Sequence, residues 1–329
     1  MRDRVMITGA SGFLGFHIIE AALAMGLEVY VAVRKSSDTS HLKQFDIKYT
    51  YPDLNSISNL KNEIEKNNYR YIIHAAGITK ASSQEAYNKV NAKLTYNIGK
   101  AAAMAAVELK KFVFVSSLAA VGPLQNASGI LTESVPPMPV TAYGKSKLLA
   151  EEQLNELPLP LTIIRPTAIY GPREKDILIL FKSINKGWEP YIGRAPQQLS
   201  FVYAKDVAEV IINALFSKYD HTTYNVSDGA VYNRYQLANY AKRVLQKKTT
   251  IMHLPLGIIK AMAFVLEKLY GLAHKVPALN RGKINELTAA NWNCSIEKVA
   301  AELGFKPAYN LESGIRETLD WYKNNNWIK

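Results

Sequence analysis

The sequence predicts an α/β fold, a doubly wound parallel sheet carrying a smaller, mostly helical C-terminal lobe. Three observations point there. A short apolar run, Val5-Met6-Ile7, leads through the glycine-rich stretch Thr8–Gly15 into a segment, Phe16 to Met25, that suits a helix ended by Gly26. Strand-like runs then alternate with helical segments: Glu28–Val33, Ile47–Thr50, Tyr69–Ile73, Phe112–Val115 and Leu161–Ile164. Past Ser227 the chain turns mostly helical, through Gln236–Lys247 and Leu254–Leu272. At 329 residues there is length for a sheet domain, 1–170 with 200–226, and a lobe, 171–199 with 227–329.

The stretch Thr8-Gly9-Ala10-Ser11-Gly12-Phe13-Leu14-Gly15 carries the first chemistry. A strand, a glycine turn and a helix start in that order form a phosphate cradle. Gly9 takes the sharp turn, Gly12 lets a pyrophosphate approach the main chain, and Gly15 lets the helix lie close on the strand. Ser11, Phe13 and Leu14 belong to the same cofactor-binding turn. The spacing is T-G-x-x-G-x-x-G rather than G-x-G-x-x-G. On it the chain resembles the extended branch of the short-chain dehydrogenase/reductase superfamily, a Rossmann-type family. That branch includes nucleotide-sugar epimerases and dehydratases, 3β-hydroxysteroid dehydrogenases and dihydroflavonol-type reductases. Ordinary turn glycines are the bland alternative.

The second strand ends at Arg34-Lys35, beside the place of an adenosine ribose, with no carboxylate until Asp38. An acidic residue there would bind a ribose 2′-hydroxyl, whereas a guanidinium grips a 2′-phosphate. NADP(H) is therefore expected over NAD(H). The resemblance implies that Asp53-Leu54 meets the adenine and that the small residues Ala75, Ala76 and Gly77 of His74-Ala75-Ala76-Gly77 pass beneath the cofactor. It makes His74 structural, and it gives Asn91 the support of loop geometry.

Tyr143 and Lys147 stand four apart, on one face of a helix running on through Leu148 to Leu157. Hydride transfer to a carbonyl needs a proton delivered to oxygen. A free phenol, with a pKa of about 10, is a poor acid–base at neutral pH unless an ammonium nearby lowers it. Tyr143 is thus the expected general acid/base, Lys147 its tuner and a ligand of the nicotinamide ribose, and Ser117 the hydroxyl that polarises the reacting oxygen. Ser116 competes with Ser117; alignment of the strand F-V-F-V-S-S with the family favours Ser117. Arg165-Pro166-Thr167 begins a stretch resembling the branch's R-P-x-x-x-Y-G-P loop, so Pro166 and Thr167 are expected at the nicotinamide carboxamide. Ser200–Val207 resembles its F-V-x-x-x-D-V signature, with Asp206 read as the N-cap of a helix Val207 to Phe216. Thr79, Arg173, Tyr191 and Arg194 are the candidates to face substrate.

Hydrophobic content of 48% and charged content of 21% suit a soluble globular chain. The net charge of +12 is scattered, without a long basic block, which argues against nucleic-acid binding. One cysteine, Cys294, excludes an intrachain disulfide, and no metal site is expected. The N-terminus enters the first strand directly, so the expected location is cytoplasmic. Leu254 to Ala273 is interrupted by Pro255, Lys260, Glu267 and Lys268, too broken to span a membrane. The same stretch reads as a core helix, a lid over an apolar pocket or, the lesser alternative, a peripheral membrane contact. The resemblance implies a homodimer through the helices around Tyr143. Val121, where sugar epimerases often carry an aromatic residue after the serine, turns the expectation toward an NADP(H)-dependent oxidoreductase of a small or lipophilic hydroxyl/ketone substrate. A nucleotide-sugar epimerase or dehydratase with bound NAD(P) and a non-catalytic dinucleotide-sensing protein are the alternatives.

Overall fold

The computed structural model describes residues 2–272 and 281–328. Its centre is a seven-stranded sheet of β1 (Arg4–Thr8), β2 (Glu28–Ala32), β3 (Lys48–Thr50), β4 (Tyr71–His74), β5 (Lys111–Val115), β6 (Leu161–Pro166) and β7 (Thr222–Val226). The spatial order is β7-β6-β5-β4-β1-β2-β3, and every pairing is parallel. Parallel strands covered on both faces need apolar residues throughout, and β5 is buried along its whole length.

Alternate side chains feed two cores. Val5, Ile7, Val31 and Val113 pack on α1 (Phe13–Ala24) and, further along the chain, a helix at Ala204–Leu215. Met6, Ile72, Phe112 and Phe114 pack against α2 (Ile57–Asn67), α3 (Leu94–Met104) and α4 (Ala142–Asn155). Chain order reverses between β1 and β4, and the loops following β1, β4, β5 and β6 all leave the carboxyl edge of the sheet. That edge at the reversal is where open α/β sheets bind ligands.

After β6 the chain runs through α5 (Asp176–Asn185), α6 (Ala204–Leu215), α7 (Gln236–Leu245), α8 (Leu256–Leu272), α9 (Arg281–Thr288), α10 (Glu297–Leu303) and α11 (Leu311–Asn324). Tyr170, Phe181, Tyr203, Leu237, Ile315 and Tyr322 form a separate core there. Two elements differ from the reading above. The apolar stretch from Leu254 is a strand end, Thr250–Leu254 paired with Trp188–Ile192, followed by α8; its far end, Ala273, lies outside the described residues. Asp206 does not cap a helix. α6 starts earlier, at Ala204, and Asp206 sits in its first turn, where its carboxylate accepts the Ala308 and Tyr309 amides at 3.3 and 3.2 Å. It ties the lobe's closing segment to the sheet domain instead.

Candidate active site

The glycine turn is built as a cradle. Gly9 has φ +72°, and a Cβ there would lie 2.6 Å from the Ala75 carbonyl and the Ala76 nitrogen. A Cβ on Gly15 would lie 2.3 Å from the Gly9 carbonyl oxygen. Gly12 starts α1 with no side-chain cap, and no acidic residue stands in the first turn. The leading N–H groups and the positive end of the helix are left for an anion. Ser11, Phe13 and Leu14 are half-buried along this turn. Arg34 and Lys35 are exposed beyond β2 and form no ion pair among the described residues, whereas Asp38 turns its carboxylate to the Ser40 amide at 3.0 Å. Asp53 is exposed and accepts from Asn55, and the Leu54 carbonyl accepts from Asn97 at 2.9 Å.

His74 is buried between two hydroxyls. Thr95 donates its own proton to the Asn91 carbonyl at 2.7 Å, so His74 Nε2 donates to Thr95 at 2.8 Å and Nδ1 accepts from Thr8 at 2.7 Å. Burial holds its pKa down to about 3, and burial likewise holds that of His17 on α1 down to about 4. Both rings therefore stay neutral in the fold while an unfolded histidine takes a proton near pH 6.5. The unfolded chain then binds more protons below 6.5, and stability falls as pH drops toward 4. Between pH 7 and pH 5 the unfolding free energy from urea titrations is expected to fall by about 2 kcal/mol per histidine; equal values would contradict this burial.

Asn91 lies in a π-helical turn, Asn88–Lys93, and joins three elements. Its Oδ1 accepts the Ile78 amide at 2.8 Å, and its Nδ2 donates to the Ile78 carbonyl and to Ser146 at 2.9 and 3.0 Å. The loop Ala75–Gly77 is so held against α4, where a Cβ on Gly77 would come 3.4 Å from Lys147 Nζ.

α4 is capped by Thr141, whose hydroxyl accepts the Gly144 amide at 2.9 Å. Its first turn carries Tyr143, half-buried, and packs on the short turn that follows Ser117 at the end of β5. Ser116 faces the other way, donating to the buried Glu151, which also accepts Arg165 Nε at 3.0 Å. Lys147, buried, donates to the Val115 carbonyl at 2.9 Å and lies 4.7 Å from the Phe114 ring centre. Desolvation pushes Tyr143 up to about 12; the nearby Ser117 hydroxyl opposes the rise, and Glu286 and Tyr87 add to it. Desolvation draws Lys147 down to about 8 against the pull of Glu151. Here the structure departs from the sequence expectation. Lys147 directs its hydrogen bond to a backbone carbonyl, and burial dominates the phenol.

The substrate candidates scatter. Thr79 comes near: its carbonyl accepts from Tyr87 at 2.9 Å, and the Tyr87 ring lies 6.2 Å from that of Tyr143. Arg173 does not face this cleft, because its guanidinium stacks 4.0 Å over Phe16 and 5.2 Å from Trp321. Tyr191 is a packing residue of the lobe, edge-on to Tyr235 at 4.8 Å and bonded to Glu189. Arg194 is exposed and lines a separate cleft of about 150 Å³ with Arg234 and Leu256. Glu286 and Tyr87 are the residues missed: helical spacing gave no sign that the charge of Glu286, on α9, would act on Tyr143. Pro166 ends β6 and Thr167 follows it; Thr167 is buried, its amide bonded to the Val226 carbonyl at 2.9 Å, and its hydroxyl has no partner among the described residues.

These features define a dinucleotide-dependent enzyme. The glycine cradle fits a pyrophosphate, and the orphaned Thr167 hydroxyl fits a polar group such as a carboxamide. The chain belongs to the NAD dependent epimerase/dehydratase family, whose model matches residues 5–227, within the extended short-chain dehydrogenase/reductase superfamily. It is 29% identical over 340 residues to N-acetyl-alpha-D-glucosaminyl-diphospho-ditrans,octacis-undecaprenol 4-epimerase of Escherichia coli O157:H7, covering 98% of this chain and 96% of that one. It is 26% identical over 332 residues to the ceramide reductase of Caulobacter vibrioides, covering 99% and 96%. The structure of Thermus thermophilus UDP-glucose 4-epimerase in complex with NAD superposes with a TM-score of 0.78 at 24% identity, over 97% of this chain and 99% of that one. No helix among the described residues is long and apolar enough to cross a membrane.

Proposed function

We propose that the chain is an NADP(H)-dependent oxidoreductase acting on a hydroxyl/ketone pair of a lipophilic substrate, with Ser117, Tyr143 and Lys147 as its catalytic residues. The observation that carries this is the packing of the first turn of α4 on the turn after β5, where Gly144 lies against Ala119, two residues past Ser117, with buried Lys147 one turn on from Tyr143. When bound, the nicotinamide supplies or accepts hydride at the substrate carbon. Tyr143 gives its phenolic proton to the oxygen as charge builds there, and Ser117 holds that oxygen by its hydroxyl. Lys147 keeps a positive charge beneath the site, steadied by Glu151 four residues on. The cradle at Gly9, Gly12 and Gly15 holds the pyrophosphate, Asp53 and Leu54 the adenine, Ala75–Gly77 the underside of the cofactor, and Thr167 its carboxamide.

The lipid class draws support from two relatives whose names carry a polyprenol and a ceramide. The first supports a second reading, epimerisation of a lipid-linked sugar, in which the dinucleotide would be reduced and reoxidised without leaving. Val121, buried where sugar enzymes hold an aromatic residue, supports the reductase.

Arg34 and Lys35, exposed and unpaired, support NADP(H). Arg34→Ala is expected to raise the Kd for NADPH by about tenfold or more, the loss of one charged hydrogen bond, and to leave NADH alone. Calorimetric titration with each dinucleotide checks it. Equal affinities for the two in the parent chain would remove the preference and leave the fold assignment standing.

A further inference from the structure

Alternation along β5 sends Phe112 and Phe114 to the α4 face of the sheet and Val113 and Val115 to the other. Ser116 stays on the α4 side, where it donates to the buried carboxylate of Glu151. One turn back on the same helix face, Lys147 donates to the Val115 carbonyl at 2.9 Å. Two successive residues of the strand end are thus tied to α4 at positions four apart. Arg165 of the neighbouring strand β6 closes the set, its Nε 3.0 and 3.1 Å from the two Glu151 oxygens. The Ser116 amide also bonds the Ile164 carbonyl of β6, at 2.7 Å. All four side chains are buried, Glu151 the most completely at 2% exposed.

A buried ion pair holds a fold together no better than packed apolar residues of like volume, so stability alone does not account for this one. It supplies direction instead. A planar guanidinium and a hydroxyl meet on one carboxylate over a narrow range of geometries, and here that carboxylate joins two strands and a helix directly behind Ser117. Ser117 therefore lies between Ser116, anchored to Glu151, and Ala119, whose carbonyl oxygen lies against Gly144 of α4. We propose that Glu151 is a positioning residue: clasped by Ser116 and Arg165, it keeps the strand end that carries Ser117 in register with the helix that carries Tyr143 and Lys147. The inference rests on the catalytic roles proposed above for those three residues. It gives Ser116 a part of its own, as anchor of the strand end rather than rival of Ser117. The same carboxylate favours the Lys147 ammonium against burial. Around that ammonium, the other groups able to carry charge among the described residues are Tyr143 on α4, Arg165 beyond Glu151 on β6, and His74 on β4, which burial keeps neutral.

Two variants of the full chain test it. Ser116→Ala removes the anchor and keeps the ion pair. Glu151→Gln with Arg165→Met removes both charges together, because Glu151→Gln alone strands a buried guanidinium and can unfold the chain. Thermal midpoints establish that the variants fold. In the dinucleotide-free protein, NMR of isotope-labelled lysines, with Lys147 assigned through Lys147→Arg, should show Lys147 titrating at about 8 in the parent. In the double variant its acid constant is expected to be about tenfold larger. With NADPH and detergent-dispersed long-chain ketones, kcat is expected to fall about tenfold in Ser116→Ala and about 10²-fold in the double variant, while KM and dinucleotide Kd stay within about twofold. The proposal is overturned if the folded double variant leaves the Lys147 titration where it was, or if both variants keep the parent's kcat. It is also overturned if the loss falls on KM or dinucleotide affinity instead. Should the double variant fail to fold, the kcat of Ser116→Ala decides. A parent chain that turns over none of the ketones removes the substrate reading, and the Lys147 titration then decides alone.

Discussion

Replacing Tyr143 with phenylalanine is expected to lower kcat/KM by about 10³-fold while dinucleotide affinity stays within about twofold. The substitution removes one oxygen. It deletes the proposed proton donor and leaves the ring beside that of Tyr87. The pKa near 12 sets the direction in which pH acts. Across neutral pH the phenol keeps its proton, the form that reduction of a ketone needs. The reverse reaction needs the phenolate, so oxidation should rise with pH while reduction stays level through neutrality. Initial rates in both directions from pH 6 to pH 10 check this. A Tyr143→Phe chain that turns over as the parent does would remove the proton-transfer role.

Local chemistry was legible in the sequence where it depends on neighbours along the chain. The turn at Thr8–Gly15 could be read because strand, glycines and helix start follow one another, and a strand leading into Ser117 and a helix carrying Tyr143 were both visible before their packing was. Contacts between distant segments were not. Arg173 looked free, but its partners Phe16 and Trp321 lie more than a hundred residues away on either side. Tyr191 was claimed by Tyr235 and His253 for the same reason. Asp206 carries the chemistry of a cap, yet the backbone at Tyr203 already starts the helix and frees its carboxylate for Tyr309. Spacing puts Tyr143 and Lys147 on one face of a helix and says nothing of how far burial withdraws both groups from water.

The position that decides whether these residues meet is Gly144. Its amide closes the Thr141 cap, and its missing side chain lets α4 lie directly on the turn after β5. A Cβ there would stand 2.1 Å from the Ala119 carbonyl oxygen and 3.0 Å from the Ala119 carbonyl carbon. Those are backbone atoms of the short turn Leu118–Ala120, whose first hydrogen bond Ser117 accepts from Ala119 at 3.2 Å. They cannot swing aside as a long side chain would, so either the turn or the helix must shift. In an unhindered helix Gly→Ala gains about 1 kcal/mol. Overpacking against backbone costs about 1–3 kcal/mol, so Gly144→Ala is expected to lose about 1 kcal/mol net in urea unfolding. The displacement falls on Tyr143, next to Gly144, and on Ser117, two residues before Ala119, whose amide it caps. A shift of about 1 Å between reacting groups costs about 10²-fold, so kcat/KM should fall by that factor while the chain remains folded. Lys145→Ala, one residue on and exposed, should change neither quantity. A Gly144→Ala chain as stable and as active as the parent would mean that the close approach of α4 to the turn is not what brings the phenol to the serine.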